Sequence, residues 1–216
     1  WHGIAYAAVF TITNIFFVIS IENTNVANTL IMIALAPMLS AVISFIFLKE
    51  NTDKKTWVAI IITTLSVIYI FNDSFERGDV LGNFLGLVCA TGLAVGAVII
   101  RSAKKISLVP SAMMGKLMVT LIALLFADNL VLKGNDTVII PLMCIMCVAI
   151  PFVLITLAPR FISAAEVNLF FLLETILGPL WVWFVIKEQP STETILGGVV
   201  IIATIAAHSF LNLKKT

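Results

Sequence analysis

VLGNFLGLVCATGLAVGAVII occupies residues 80–100 without one charged side chain, between Asp79 and Arg101. A membrane-spanning helix needs about 20 mostly apolar residues, because the hydrocarbon core is about 30 Å thick and a helix rises about 1.5 Å per residue. This stretch has that length. A transmembrane barrel strand would instead alternate apolar and polar residues over about ten positions. Helix is therefore the only spanning structure the run allows.

Similar stretches lie on both sides of it. Spans are predicted at 3–20, 26–48, 56–71, 80–100, 110–132, 138–157, 164–186 and 194–213, joined by short polar connections with no room for a soluble domain. Hydrophobic residues make up 61% of the 216 residues and charged residues 12%. Soluble domains carry about 45–50% apolar and about 25% charged residues, so a water-facing surface is excluded. A net charge of +1 provides no field suited to nucleic acid. Cys89, Cys144 and Cys147 all fall in apolar runs, which argues against a disulfide framework. No secretory signal is visible at the N-terminus.

Lysine and arginine alternate in density from loop to loop. Lys49, Lys54, Lys55, Arg101, Lys104, Lys105, Arg160, Lys214 and Lys215 fall on one side, against Arg77, Lys133 and Lys187 on the other. The positive-inside rule makes the first side cytoplasmic, including the C-terminus, in an inner or plasma membrane.

An internal repeat is also visible. Leu48-Lys49-Glu50 closes one apolar helix and Ile186-Lys187-Glu188 closes another, 138 positions later. At the same offset Thr56 falls on Thr194, Leu39 on Leu177 and Leu35 on Leu173. The two Lys-Glu pairs fall on opposite sides of the membrane, so the repeats are expected to be inverted. Such repeats are common in secondary transporters, with substrate bound near the midplane between them. The expected fold is an all-α, polytopic transmembrane bundle with inverted five-helix repeats. Residues 1–72 would hold the last three helices of the first repeat and 79–216 all five of the second. About eight of ten helices would then be present, two more preceding residue 1.

Leu35-Ala36-Pro37-Met38-Leu39-Ser40, running on to Leu48-Lys49-Glu50, resembles the fourth-helix signature of the EamA domain in the drug/metabolite transporter superfamily. Leu173-Glu174-Thr175-Ile176-Leu177-Gly178-Pro179-Leu180-Trp181, with Lys187-Glu188-Gln189-Pro190, is similar to the second copy's version. Gly78-Asp79-Val80-Leu81-Gly82 and Gly197-Gly198 fit the same pattern. Thr175 stands where the family usually has proline, and Pro179 is placed to kink the helix one turn later. The resemblance implies a transporter with both termini cytoplasmic, moving small metabolites, amino acids or drugs, often outward.

Ionisable groups inside a bilayer cost about 2.5–3.5 kcal/mol on insertion scales and are functional candidates by default. Glu174 lies about 16 Å from the cytoplasmic end of its span. At that depth desolvation penalises the charged form, so this carboxyl is expected to exchange a proton for a cationic amine, or to serve as a protonated brace. Lys116 lies about 9 Å into its span. It either snorkels to the cytoplasmic interface or pairs with Glu166, as a gate or as a brace. Asn14, Asn168 and Thr91 are candidates for hydrogen bonds to substrate, with interhelical bonding as their plainer role. Gly82, Gly86, Gly92 and Gly96 form small-xxx-small patterns suited to close helix packing. Trp181 and Trp183 are expected at the outer interface.

Metal binding is disfavoured, because Cys144-x-x-Cys147 is half a zinc site without a second pair. His208-Ser209 lacks the flanking residues of a serine nucleophile, and no phosphate-cradling loop is present. The expected function is a secondary carrier of a small-molecule substrate, with a proton as a second partner. It would work by alternating access in the lipid bilayer, without a cofactor and without nucleic acid, and a homodimer is compatible with it. The alternatives are a membrane-embedded enzyme, which would need more catalytic groups than these, and a non-transporting membrane subunit.

Overall fold

The computed structural model describes residues 1–49, 53–103, 107–127, 131, 134–151, 154, 177–187 and 189–213. These residues are helical, joined by short connections, with no strand among them. In chain order the helices are α1 (His2–Asn23), α2 (Val26–Ile33), α3 (Ala36–Leu48), α4 (Lys54–Arg77), α5 (Val80–Ser102), α6 (Val109–Phe126), α7 (Asp136–Met143) and α8 (Thr192–Leu213). Six stretches are long and apolar enough to cross a membrane: α1, the α2–α3 pair, most of α4, α5, α6 and most of α8. The protein is thus a polytopic all-α membrane protein. Of the two other expected spans, 138–157 appears as a shorter apolar helix, Asp136–Ala149. The span at 164–186 lies largely outside the described residues.

The expected span at 26–48 is two helices rather than one. Its break falls at Ala34 and Leu35, just before Pro37 in the first turn of α3. Proline lacks the N–H that would bond the carbonyl four residues back, and its ring clashes with that carbonyl. Two further prolines mark distortions. Pro141 lies inside α7, and a π-helical segment begins three residues later at Cys144–Ala149. A second π segment, Val182–Ile186, begins three residues after Pro179. A proline inside a helix removes one rung of the hydrogen-bond ladder, and widened turns are a common way to absorb the loss.

α1 packs against α5 and α6, α2 and α3 against α5, and α4 against α8. A dry core of Met32, Leu35, Met38, Ile70, Ile201 and Ile205 joins α2, α3, α4 and α8. Outward-facing residues are large and apolar, including Leu65, Leu121, Leu125 and Phe126. In water that surface would aggregate; in a bilayer it is the face presented to lipid. Trp181 and Trp183 are both exposed, Trp183 lying against Phe184 with ring centroids 6.0 Å apart.

α5 approaches its neighbours over glycine. A Cβ at Gly82 would lie 2.6 Å from the backbone carbonyl of Asn23 and from Thr24 Cβ. At Gly92 it would overlap the Thr13 hydroxyl. The small-xxx-small pattern therefore serves packing: between helices in lipid, dispersion contacts replace the hydrophobic effect, and they require close backbones. Gly82→Ala should lower stability by about 1–3 kcal/mol, since the opposing atoms are main chain and cannot swing aside. A denaturant titration in mixed micelles checks this, with the exposed Thr64→Ala as a control expected within about 0.5 kcal/mol of the parent.

Candidate functional site

Hydroxyl groups inside the spans fall into two classes. Thr63, Thr64, Ser66, Thr91, Thr120 and Thr204 each donate to a carbonyl of their own helix, three or four residues back. They need no neighbour. Thr91 is of this kind, exposed, with its hydroxyl 2.9 Å from Leu87 O. The structure thus places this candidate's hydroxyl against the backbone of its own helix.

The second class reaches between helices. At the α1–α2 turn the Ser20 hydroxyl donates to Gly82 O of α5 at 2.7 Å. Its single proton is thereby used, so the 2.8 Å contact with Thr29 makes Thr29 the donor to Ser20. One residue along, Asn28 Nδ2 donates to Thr24 at 3.1 Å, and Thr24 donates to Asn83 Oδ1 at 3.0 Å. Two parallel relays thus run from neighbouring residues of α2, through the end of α1, to neighbouring residues of α5. Ser20, Thr29 and Asn83 are fully buried, and Asn28 is 3% exposed. Asn28 Oδ1 is buried without a hydrogen-bond partner. Sequence reasoning missed this layer, although its signal was present: Ser20, Thr24, Asn28, Thr29 and Asn83 all cluster at the same ends of three spans.

Toward the other ends of α1 and α6 lie two of the expected site residues. Lys116 is exposed, its Nζ 5.5 Å from the centroid of the Phe10 ring. Asn14 Nδ2 donates to Phe10 O at 2.7 Å. Phe10 is therefore the contact shared by Lys116 and Asn14. Beside them the Thr11 hydroxyl shares its one proton between Ala7 O at 2.7 Å and Gly115 O at 3.2 Å, the second contact reaching from α1 to α6. Phe10 lies eight residues into α1, about 12 Å along it, and the lysine side chain reaches this ring. Glu166, Asn168 and Glu174 lie outside the described residues, as does the expected Lys116–Glu166 pair.

A cleft of about 330 Å³ between α4 and α5, lined by Val67, Ile68, Phe71, Asn72, Phe84 and Leu87, is apolar apart from Asn72. It contains none of the candidate site residues. His208 Nε2 lies 2.8 Å from the Thr56 hydroxyl, so His208 braces α8 to α4.

A family model described as the EamA-like transporter family matches residues 1–72 and 80–210. The chain belongs to the EamA-like transporter family. Comparison with curated proteins and with solved structures returned no match. As an EamA protein the chain is a multi-pass membrane transporter whose partners are a small-molecule substrate and the surrounding lipid, and its family is one of transporters rather than enzymes. In this EamA chain the cross-helix layer stabilises the bundle. Ser20→Ala would take the acceptor from the Thr29 hydroxyl and remove the cross-helix donor to Gly82 O, a cost of about 1–3 kcal/mol. In a double-mutant cycle, Ser20→Ala/Thr29→Val should lose less than the sum of the two single variants, read from micellar unfolding midpoints.

Proposed function

We propose that the chain is a secondary transporter that carries a small metabolite, amino acid or drug outward by alternating access between two inverted repeats, with a proton as coupling ion. Residues 1–72 belong to the first repeat and 79–216 to the second. Glu174 is the central carboxyl that exchanges proton and substrate, with Asn168 beside the path. The protein lies in the inner or plasma membrane with its C-terminus cytoplasmic.

The observation that carries this reading is a set of equivalences at one offset. Lys49 and Lys187, 138 positions apart, are the two non-glycine residues with positive φ among those described, at 52° and 64°. The left-handed conformation is disfavoured for side chains, so its recurrence at this spacing is not expected by chance. The preceding helical segments end at Leu48 and Ile186, and the following helices begin at Lys54 and Thr192, again 138 apart.

The packing of α4 against α8 supports the same relation. Thr56, near the start of α4, touches His208 near the end of α8. Ile70, near the end of α4, faces Gly197 near the start of α8, where a Cβ would come 2.6 Å from it. The two helices are therefore antiparallel. At the 138-residue offset Thr56 corresponds to Thr194 and Ile70 to His208, so the pairing maps onto itself to within a turn. A seam of this kind is what a two-fold axis in the membrane plane would generate.

Single cysteines at Lys55 and Lys187 test the inversion. A membrane-impermeant maleimide should label them from opposite sides of sealed vesicles, and labelling from one side would defeat the repeat. In proteoliposomes, Glu174→Gln should abolish the pH dependence of flux for a solute selected by thermal-shift screening. Flux equal to the parent's at every pH would remove Glu174 from the mechanism.

A further inference from the structure

The ammonium of Lys116 is an uncommon object in a bilayer. It stands in a transmembrane helix seven residues past the start of α6, about 10 Å along it. A lysine at this depth ordinarily reaches for the interface; this one lies 5.5 Å from the centre of the Phe10 ring. Attraction to the ring face holds the charge in place without neutralising it. No carboxylate among the described residues pairs with it. The backbone that carries it is held close to α1: a Cβ at Gly115 would lie 2.9 Å from Phe10 Cδ1 and 3.0 Å from Ala7 O.

Asn14 lies one turn along α1 from Phe10, half-buried. One of its two amide protons is used on Phe10 O, leaving the second as a donor. A cation, an aromatic face and, one turn along α1, a spare amide donor thus lie along the α1–α6 seam, and the lysine is open to approach.

We propose that Lys116, Phe10 and Asn14 form a binding site for one singly charged oxyanion. A carboxylate on a solute and the phosphodiester of a lipid headgroup share this chemistry. A dianion fits less well, because one cation would leave the second charge unpaired in a medium of low dielectric. The oxyanion pairs with the ammonium and accepts from the Asn14 amide, while the apolar part of the ligand lies along Phe10. The solute arm rests on the transporter reading above, whereas the lipid arm does not, and both are tested by binding rather than by flux.

The full chain, purified in an uncharged detergent, is titrated with sodium benzoate or sodium acetate against sodium chloride at matched ionic strength, following the unfolding midpoint. In parallel, its midpoint is compared in nanodiscs of phosphatidylglycerol and of phosphatidylcholine. A rise with carboxylate identifies a solute site; a rise confined to phosphatidylglycerol identifies a lipid site. In either arm Lys116→Gln should weaken the effect by about tenfold or more, and Lys116→Arg should retain it, as charge-assisted hydrogen bonds require. Asn14→Leu should weaken it to a smaller degree. The proposal is overturned if neither arm responds, if Lys116→Gln responds as the parent does, or if a response arises only in Glu166→Gln, which would mean that Lys116 is already paired within the protein.

Discussion

Lipid offers no hydrogen bonds, and that single constraint orders the rest of this structure. It requires helices, since only they close their backbone ladders within one segment. It also sorts the side chains. A hydroxyl that bonds the carbonyl one turn back on its own helix, as Thr63, Thr91 and Thr204 do, is solvated by its own element and ties nothing together. A hydroxyl that reaches a second helix, as Ser20 and Thr24 do, fixes how two helices meet. The polar residues that matter to the bundle are those of the second kind.

Such reaching is possible only where helices approach closely. Ser20 meets Gly82 O because position 82 has no side chain to hold the end of α1 away. Cys89 lies buried beside Thr13, its Sγ 3.5 Å from Thr13 O, on the same seam. The glycine ridge of α5 and the cross-helix relays are therefore one device. Small residues admit the neighbour, and the polar groups exposed by the close approach then bind it in a defined register. The apolar core at α2, α4 and α8 packs by shape, through Ile70 and Ile201, which are both fully buried.

This division explains what was legible in the sequence. Span positions could be read because charge-free length is a property of single segments, and residues 80–100 returned as α5 nearly unchanged. The glycine spacing of α5 could be read for the same reason. Pairings could not, since Thr29, Ser20 and Gly82 are brought together by a turn and by packing rather than by proximity in the chain. Lys116 illustrates the limit. Its depth followed from counting, but its partner Phe10 belongs to a helix about a hundred residues earlier. The break before Pro37 is invisible to hydropathy, which does not register a missing N–H.

The α4–α8 seam carries one departure from symmetry that bears on transport. On the inverted-repeat reading, two identical halves would give inward-open and outward-open states of equal energy, because each state is the other turned over. Ile70 and His208 occupy equivalent positions, 138 apart, yet one is a fully buried hydrocarbon and the other a half-buried imidazole bonded to Thr56. At one end Ile70 packs against Gly197; at the other the His208 ring bonds the Thr56 hydroxyl. Interactions that differ between conformations are what set their populations. On that reading, a hydrogen-bonded imidazole at one position and a hydrocarbon at its equivalent would favour one conformation of the carrier over the other.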